Sequence, residues 1–522
     1  MSEDHVRDEL EGILGGAVLV AVGTLLSVGI NVVARSVFAR TYSPGEYGIF
    51  SLSFAILLIF SLAACLGLQN GLPRQIAFVE ADDESGGDNS DRRRDSTRQA
   101  GDAGTLTLWA LVLGGSVAVA TGAVLLQFNR DISVHVFGDS GYARPLALVA
   151  LAIPLFTVIR VISAVFRGYS KPRERVLFQG LLRNGSFLAL LVVVVSVELD
   201  HLAAIQMLPL SLGLTVALYF GYLYRDNPGR FRDDVVDRLS QMAVPVSLIR
   251  FSAPLMVATL LLQLMTWMDI LMLGYFSTSR AVGLYDGVRP LVRIIPIVWQ
   301  GMIFMYIPLV SGMYARDNLN AIRRVYFVLT KWFASATVPL VLLFLFFPAS
   351  TLRVVFGSTF TVAAPALQLL AVAFCAGNLL GPTGATLIAM GHTRVVMGIN
   401  LVSAIVNFGL NIALIPEYDL IGAAIATAIA VVLRNLLRLA MLYRRGRIHA
   451  LRSAIYWPLF LTTAAAGCLS LVLGTVSWAM LLCVFTATAV ILLASFPLTS
   501  SISPEDDILL SRTLTMIRRV TQ

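Results

Sequence analysis

Residues 267–293, WMDILMLGYFSTSRAVGLYDGVRPLVR, contain the end of one apolar helix, a short polar turn and the start of the next helix. Asp269 lies on the first helix, and Arg289 and Arg293, four residues apart, share one face of the second. An ionisable group inside an apolar span is costly and usually faces a protein interior or a water-filled cavity. The stretch therefore predicts a membrane fold with charged groups in its interior.

The composition places the chain in a membrane. Of its 522 residues, 57% are hydrophobic and 13% are charged, whereas soluble domains carry about 25% charged residues. The start, MSEDHVRDELEG, is polar and the first apolar run is longer than a signal-peptide core, so we expect no cleavable signal peptide. The net charge of +8 is interpreted as basic cytoplasmic loops rather than a nucleic-acid surface.

The apolar runs predict an all-α polytopic membrane protein. A transmembrane helix needs about 20 apolar residues, and we predict about fourteen such helices. Arginine and lysine concentrate in alternate loops, which favours a cytoplasmic location for both termini. The predicted spans are 12–38, 46–68, 104–127, 144–167, 176–197, 202–223, 248–275, 284–308, 326–349, 364–389, 395–416, 420–442, 454–474 and 477–498.

Polar segments divide these spans into three regions. A low-complexity cytoplasmic loop near 81–103 is predicted to be disordered, and a basic segment at 224–247 joins the two halves. We predict an N-terminal lobe of spans 1–6 over residues 1–230 and a C-terminal lobe of spans 7–12 over residues 231–447. Residues 448–522 contain two further spans and a tail that could form an amphipathic helix on the inner leaflet.

The two halves share a faint internal repeat. Aligning Gly48 with Gly283 places a short polar turn in both halves, and a second alignment further along matches Asn184 with Asn407. Internal repeats are common in transporters, whose substrate site lies at the repeat interface near the bilayer midplane. The pattern favours a transporter built from two pseudo-symmetric lobes.

Motifs for enzymatic chemistry are absent from the sequence. It has no GxxxxGK[ST] loop for a nucleotide, and its histidines and cysteines form no cluster with metal-ligand spacing. The acidic pairs Asp233–Asp234 and Asp506–Asp507 lie beside arginines on loops and are interpreted as solvated charge. We therefore predict that the chain is not an enzyme and uses no cofactor or metal.

Charged residues within the spans are the candidate site residues. Arginine offers a fixed fork of donors that matches phosphate oxygens, so several arginines around one cavity would suit a phosphate or pyrophosphate group. We predict that Arg35, Arg160, Arg289 and Arg293 bind this group. Asp269 could contact substrate, couple transport to a cation or proton, or pair with Arg289 or Arg293.

Other interpretations of these arginines stay open. Arg289 could pair with Asp286 or reach the outer headgroups, and Arg160 could belong to a buried structural pair. Arg183 and Arg438 could extend along the apolar surface to the inner interface.

A series of segments between about residues 12 and 445 carries a family resemblance. In order, the segments are ARTYSPGEYGIFSL, GLQNGLPRQIA, FRGYSKPRERV, the series Pro254, Asp269, Val282, Gly283 and Tyr285, and the late FGSTF and MGHTRVVMGIN segments. They resemble the polysaccharide-biosynthesis flippases (Wzx-like) of the multidrug/oligosaccharidyl-lipid/polysaccharide exporter superfamily.

The resemblance implies a MATE-like fold of two six-helix lobes with two additional C-terminal helices. It also implies alternating-access transport of an oligosaccharide on a polyprenyl or dolichyl phosphate, from the cytoplasmic to the outer leaflet, for cell-surface polysaccharide or protein glycosylation. We therefore expect a multi-pass protein of the cell membrane that acts as a monomer. Its expected partners are the lipid-linked sugar, the bilayer and glycosyltransferases of the pathway, and no nucleic acid.

Two other functions fit parts of the sequence. A cation-coupled small-molecule exporter of the same superfamily would use Asp269 as a proton or sodium site. A polytopic glycosyltransferase or polymerase would need essential acids on outer loops, and few acids lie there.

Overall fold

The structure, a computed structural model, describes residues 3–84, 103–226, 246–449, 453–473 and 476–498. Throughout these ranges every regular element is helical, which confirms the predicted all-α fold. Most of the loop predicted to be disordered, most of the linker between the halves and the C-terminal tail lie outside the described residues.

The chain divides into two compact units, Met1–Gly283 and Leu284–Gln522. The long helices of the first unit follow the predicted spans closely, and a further helix, α3, continues beyond the second span. The helices are α1 (Glu3–Thr41), α2 (Pro44–Ala64), α3 (Leu68–Glu84), α4 (Ala103–Gln127), α5 (Ala143–Gly168), α6 (Arg183–Ser196), α7 (His201–Asp226) and α8 (Val246–Phe276).

The second unit begins within the next helix. Most of its helices are long enough to cross a membrane, and two short helices, α11 and α13, lie between them. The helices are α9 (Ser279–Ala315), α10 (Leu319–Phe346), α11 (Pro348–Phe356), α12 (Ala364–Leu379), α13 (Thr383–Ala389), α14 (Thr393–Gly446), α15 (Ser453–Leu473) and α16 (Trp478–Leu498).

The number of spans agrees with the prediction. Among the described residues, ten segments are long and apolar enough to cross a membrane, and one of them, Thr393–Gly446, contains two predicted spans. Two shorter apolar helices, Trp457–Leu473 and Trp478–Leu492, follow, and α9 is 37 residues long. The chain is a multi-pass membrane protein, with a helix at each of the predicted spans.

The start of α2 shows how local sequence sets a helix boundary. Ser43 Oγ accepts a hydrogen bond from the Glu46 backbone N–H (3.3 Å), and the Glu46 carboxylate accepts one from the Ser43 backbone N–H (2.8 Å). This reciprocal pair satisfies two donors that a helix start leaves open. Pro44 occupies the first turn, where its missing N–H costs nothing. A new helix therefore starts soon after α1 ends.

Left-handed backbone interrupts three of the apolar runs. Leu66 and Gly67, with φ of 51° and 76°, separate α2 from α3, and Gly381, with φ of 83°, separates α12 from α13. Asp419, with φ of 53° and ψ of −130°, kinks α14 between two of the predicted spans. The span predicted at 364–389 is therefore two helices.

Helix α5 is the central helix of the first unit. It packs against α2, α3, α4 and α7, while α6 packs against α1 and α7. One side of α5 therefore faces the space enclosed by α1, α2, α6 and α7. Phe156 lies on α5 and Arg160 follows one turn later, so both are held by the best-packed helix of the unit.

The two glycines aligned by the internal repeat lie against each other. A Cβ on Gly48 would lie 1.7 Å from the carbonyl oxygen of Ser279, and a Cβ on Gly283 would lie 1.8 Å from that of Pro44. Pro44 and Ser279 each precede their glycine by one helical turn, so the two contacts are equivalent under the repeat. This reciprocal contact supports the predicted pseudo-symmetry.

Candidate functional site: a cationic pocket in the first unit

Helices α1, α2, α5, α6 and α7 line one pocket. The lining contributes two guanidinium groups, and no aspartate or glutamate is among the described residues that line it. Positive charge in a lining of low polarity attracts anions more strongly than it would in water. The polar residues of the lining are Asn31, Arg35, Arg183, Asn184 and Ser211.

Arg35 on α1 is the first cationic group of the pocket. It is 7% exposed, and its Nε donates to Asn31 Oδ1 at 3.1 Å, one turn earlier on the same helix. Its Nη1 donates to the Tyr47 hydroxyl at 3.3 Å, and its Cζ lies 5.5 Å from the centre of the Phe54 ring. These contacts hold the guanidinium at the pocket wall, where the sequence predicted a substrate-binding arginine.

Arg183 is the second cationic group. It begins α6 directly after a π-helical stretch, Val176–Leu182, and such wider turns re-aim side chains and are frequent at functional sites. Arg183 Nε donates to Asn184 Oδ1 at 3.2 Å. The Asn184 amide in turn donates to Ser27 Oγ at 2.8 Å, so α1 fixes the orientation of the group that holds Arg183. Arg183 has no carboxylate within ion-pair distance among the described residues.

Phe156 joins Arg183 to Arg160. The guanidinium carbons of Arg183 and Arg160 lie 5.3 Å and 4.9 Å from the centre of its ring. Both distances are within the range of cation–π attraction. The ring therefore stabilises both cations.

Arg160 points away from the pocket towards α2 and α3. Its nitrogens donate to Ser61 Oγ (3.3 Å), Gln69 Oε1 (3.4 Å) and the Leu58 carbonyl oxygen (3.3 Å). All of these acceptors are neutral, and Arg160 is not part of the pocket lining. It supports the pocket through Phe156 and the α2–α3 bend.

Aromatic rings form the apolar side of the pocket. Phe50 and Phe187 stack with centroids 5.9 Å apart and planes within 4°, and Phe54 stacks on Phe50 at 6.0 Å. Ligand sites commonly combine such apolar walls with a few oriented polar groups. In this pocket, the oriented polar groups are the guanidiniums of Arg35 and Arg183.

The other charges singled out in the sequence lie elsewhere. Arg289, on α9 in the second unit, donates to Asp286 Oδ1 at 2.7 Å, and both side chains are buried. Arg293, one turn further along α9, is exposed, and Asp269 on α8 is half-buried. The structure thus brings Arg35 and Arg183 into one pocket and shows the Asp286 pairing that the sequence left open for Arg289.

Arg183 and Asn184 are the site residues that the sequence reasoning did not select. The sequence alone allowed Arg183 to extend to the inner interface, whereas the structure places it in the pocket lining. The sequence did contain one signal for this part of the site. Asn184, directly after Arg183, is the residue that the internal repeat matches with Asn407.

The arrangement fits the binding of a phosphate group. The guanidinium groups of Arg35 and Arg183 and the amide of Asn31 supply donors for phosphate oxygens, whereas the Asn184 amide donates to Ser27 and the Ser211 hydroxyl to Leu208. Within the part of the chain that the structure describes, no three His, Cys, Asp or Glu residues are grouped to hold a metal. Binding, orientation and release are the chemistry that these groups provide.

Comparison with known sequences gives a consistent family. A model of the family described as "Polysaccharide biosynthesis protein" matches residues 13–314. A curated relative from Haloferax volcanii, "Probable low-salt glycan biosynthesis flippase Agl15", is 22% identical over 461 residues. That alignment covers 86% of this chain and 87% of the relative.

Comparison with solved structures gives the same fold. Lipid II flippase MurJ, in an inward closed conformation, matches with a TM-score of 0.67 at 12% identity, covering 92% of this chain and 98% of that one. An inward-facing multidrug resistance MATE family transporter of the MOP superfamily matches with a TM-score of 0.61 at 17% identity, covering 82% and 98%. These matches confirm the predicted MATE-like fold. The names of the relatives describe flippases and transporters, in agreement with the prediction that this chain is not an enzyme.

Proposed function

Because this chain belongs to the polysaccharide biosynthesis protein family, we propose that it is a flippase for a sugar carried on a lipid phosphate. It moves the lipid-linked oligosaccharide from the cytoplasmic to the outer leaflet by alternating access, for cell-surface polysaccharide or protein glycosylation. The single observation that carries the proposal is the pocket lined by Arg35 and Arg183.

The charge of the pocket selects the part of the substrate that it holds. The phosphate or pyrophosphate is the anionic group that all lipid-phosphate-linked sugars share, and guanidinium groups match phosphate oxygens in geometry as well as charge. Arg183 is oriented by Asn184 rather than neutralised by a carboxylate. It therefore keeps its attraction for an incoming phosphate.

The size of the pocket limits what else enters it. Its lining comes from twelve residues on five helices of the first unit, far fewer than would surround an oligosaccharide with its prenyl chain. In this proposal the pocket holds the phosphate and the nearest sugar, with the stacked Phe50 and Phe187 rings against the apolar face of that sugar. The prenyl chain stays in lipid, where its apolar surface costs nothing.

The same charge disfavours the alternative of a cationic-drug exporter. A cation entering the pocket would meet two arginines and no lining carboxylate, and like charges repel strongly where the dielectric constant is low. The fold alone suits either substrate class, so the choice proposed here rests on the charge of the lining. The polytopic glycosyltransferase is disfavoured because the relatives are described as flippases and transporters.

The remaining expectations from the sequence complete the proposal. Arg160, which the sequence predicted to bind the phosphate, positions the pocket through Phe156 in this proposal, and Arg289, Arg293 and Asp269 remain candidate contacts on α8 and α9. The protein acts as a monomer in the cell membrane, with both termini cytoplasmic and with glycosyltransferases of the pathway as partners.

Deletion of the gene tests this function in cells. The expected result is loss of one surface glycan together with accumulation of its lipid-linked precursor inside. Wild-type protein should restore the glycan and R183Q should restore less than a tenth of it, because a charge-assisted hydrogen bond is worth about 1.5–3 kcal/mol. R444Q changes an exposed arginine on α14 and serves as the matched control. A deletion strain with unchanged glycans and lipid-linked sugars would exclude the flippase.

A further inference from the structure

A second pair of arginines lies within the membrane helices of the second unit. Arg434 and Arg438 follow the Asp419 kink of α14 and are four residues apart, so they share a helix face. The Nε atoms of both are enclosed, and neither has a hydrogen-bond partner among the described residues. An enclosed, ionised donor without a partner is unfavourable, so this pair needs an explanation.

The surroundings of Arg438 are built for a guanidinium. Its Nη2 donates to Asn400 Oδ1 at 2.6 Å, on the first half of α14. Gly384 on α13 faces it closely, because a Cβ there would lie 3.0 Å from Nη1. The side chain is therefore held in place by packing and by one neutral acceptor, while its Nε has no hydrogen-bond partner among the described residues.

Neither arginine has a counter-charge in the described part of the chain. The one hydrogen bond that the pair makes among the described residues goes to an amide oxygen, and no described carboxylate lies within ion-pair distance of either arginine. Arg434 and Arg438 are half-buried, and two neighbouring cations partly removed from water without an anion are unfavourable. A bound anion would relieve both their repulsion and the missing hydrogen bonds.

The depth of the pair indicates what kind of anion can reach it. His392 directly precedes α14 and Arg445 lies near its end. The kinked helix brings the two together, with Arg445 Nη1 3.0 Å from His392 Nε2. From Gly446 at that end, Arg438 lies about 12 Å and Arg434 about 18 Å along the helix. Asn400, which binds Arg438, lies about 10 Å along α14 from Thr393.

We propose that Arg434 and Arg438 form a second anion site, which binds the phosphate of a lipid. An apolar tail allows such a phosphate to reach a cation pair at this depth, which a free inorganic ion would not easily do. The phosphate belongs either to the lipid-linked sugar or to a membrane phospholipid. Only the first of these sources rests on the function proposed above, and the anion site itself does not.

Counting bound lipids by native mass spectrometry tests the site. Purified protein is titrated with dolichyl phosphate, with phosphatidylglycerol and, as a zwitterionic comparison, with phosphatidylcholine. Wild-type protein should bind two molecules of dolichyl phosphate tightly, one in the pocket of the first unit and one at the arginine pair. R434Q and R438Q should each weaken one of these two events by tenfold or more, whereas R444Q should leave both unchanged.

The two proposals fail in different ways. If R183Q retains both binding events while R434Q loses one, the second site stands and the first-unit pocket is wrong. If R434Q and R438Q bind as many lipids as wild type with the same affinity, the second site is excluded. If the arginine pair of wild-type protein binds dolichyl phosphate more tightly than phosphatidylglycerol, the site is assigned to the lipid-linked sugar. If it binds both lipids equally tightly, the site is assigned to phospholipid headgroups.

A stability measurement separates ligand binding from a structural role. In lipid-free detergent R434Q should melt at the same temperature as wild type or higher, because it removes an uncompensated, half-buried cation. Added dolichyl phosphate should then raise the melting temperature of wild type more than that of R434Q. A lower melting temperature for lipid-free R434Q, with unchanged lipid binding, would mean that Arg434 only supports the fold.

Discussion

Replacing Gly48 by alanine is expected to force α2 away from the first turns of α9. The added Cβ would lie 1.7 Å from the carbonyl oxygen of Ser279 and 2.8 Å from the backbone nitrogen of Gly283. Carbon and oxygen atoms in contact normally lie about 3.3 Å apart or more, so the helices must separate by roughly 1.6 Å. Backbone atoms on both sides leave no flexible side chain to absorb this shift.

The expected cost follows from overpacking a close helix contact. Extra atoms in a well-packed interior typically cost about 1–3 kcal/mol, and a backbone clash belongs at the upper end. Gly283→Ala should cost a similar amount, because its Cβ would lie 1.8 Å from the carbonyl oxygen of Pro44. The double variant should cost clearly less than the two single costs added, since one separation of the helices relieves both clashes.

Thermal unfolding in detergent measures these costs. The matched control is Gly115→Ala on α4, where nothing lies within 4 Å of the added carbon. There alanine should be neutral or stabilising by up to about 1 kcal/mol, through helix propensity alone. If G48A and G283A melt at the same temperature as G115A, the reciprocal glycine contact is wrong. Strict additivity in the double variant would mean that the two residues do not share one contact.

Three further changes test the electrostatics. Asn184→Asp adds a carboxylate beside Arg183 and removes the amide that donates to Ser27; at equal amounts of folded protein it should flip substrate at least tenfold more slowly than wild type, and equal transport would exclude the pocket. Asp286→Asn removes the buried carboxylate that binds Arg289, and a cost of about 3–5 kcal/mol should appear as a lower melting temperature, whereas an unchanged one would show that the pair is not stabilising. Burial and the neighbouring Arg445 lower the pKa of His392, so the unfolded chain takes up the proton more readily and stability should fall as pH drops below about 6.5. His392→Gln should flatten this dependence, and identical pH profiles would contradict it.

The membrane spans could be predicted because lipid imposes a simple requirement. Each crossing needs a run of apolar residues long enough for the bilayer, and alternate basic loops fix the order of the crossings. The interruptions depend on tertiary contacts instead. Gly67 takes a left-handed conformation where a Cβ would lie 2.2 Å from the Ser252 carbonyl oxygen, and hydropathy contains no trace of that neighbour.

A contact could be predicted from the sequence where both residues lie on one helix and their spacing places them on the same face. Asp286 and Arg289 are three residues apart, and the sequence already offered their pairing as an alternative. Arg35 was selected for its charge within a span, and the structure places it in the pocket lining. Arg183 was not selected, because the sequence allowed it to extend to the inner interface, and the π-helical turn before it changes the face on which later residues lie. A regular helical period gives no warning of such a turn.

Flipping by purified protein in liposomes is the most direct test of the proposed function. Vesicles are prepared with a dolichyl-phosphate-linked sugar, and the fraction of sugar that a membrane-impermeant glycosidase can reach is followed over time. Wild-type protein and R444Q should make nearly all of the sugar accessible, and the R35Q/R183Q double variant should leave the fraction at about half, as in protein-free vesicles. Flipping at the wild-type rate by R35Q/R183Q, or none by wild type, would contradict the assignment of a phosphate-binding flippase pocket to the first unit.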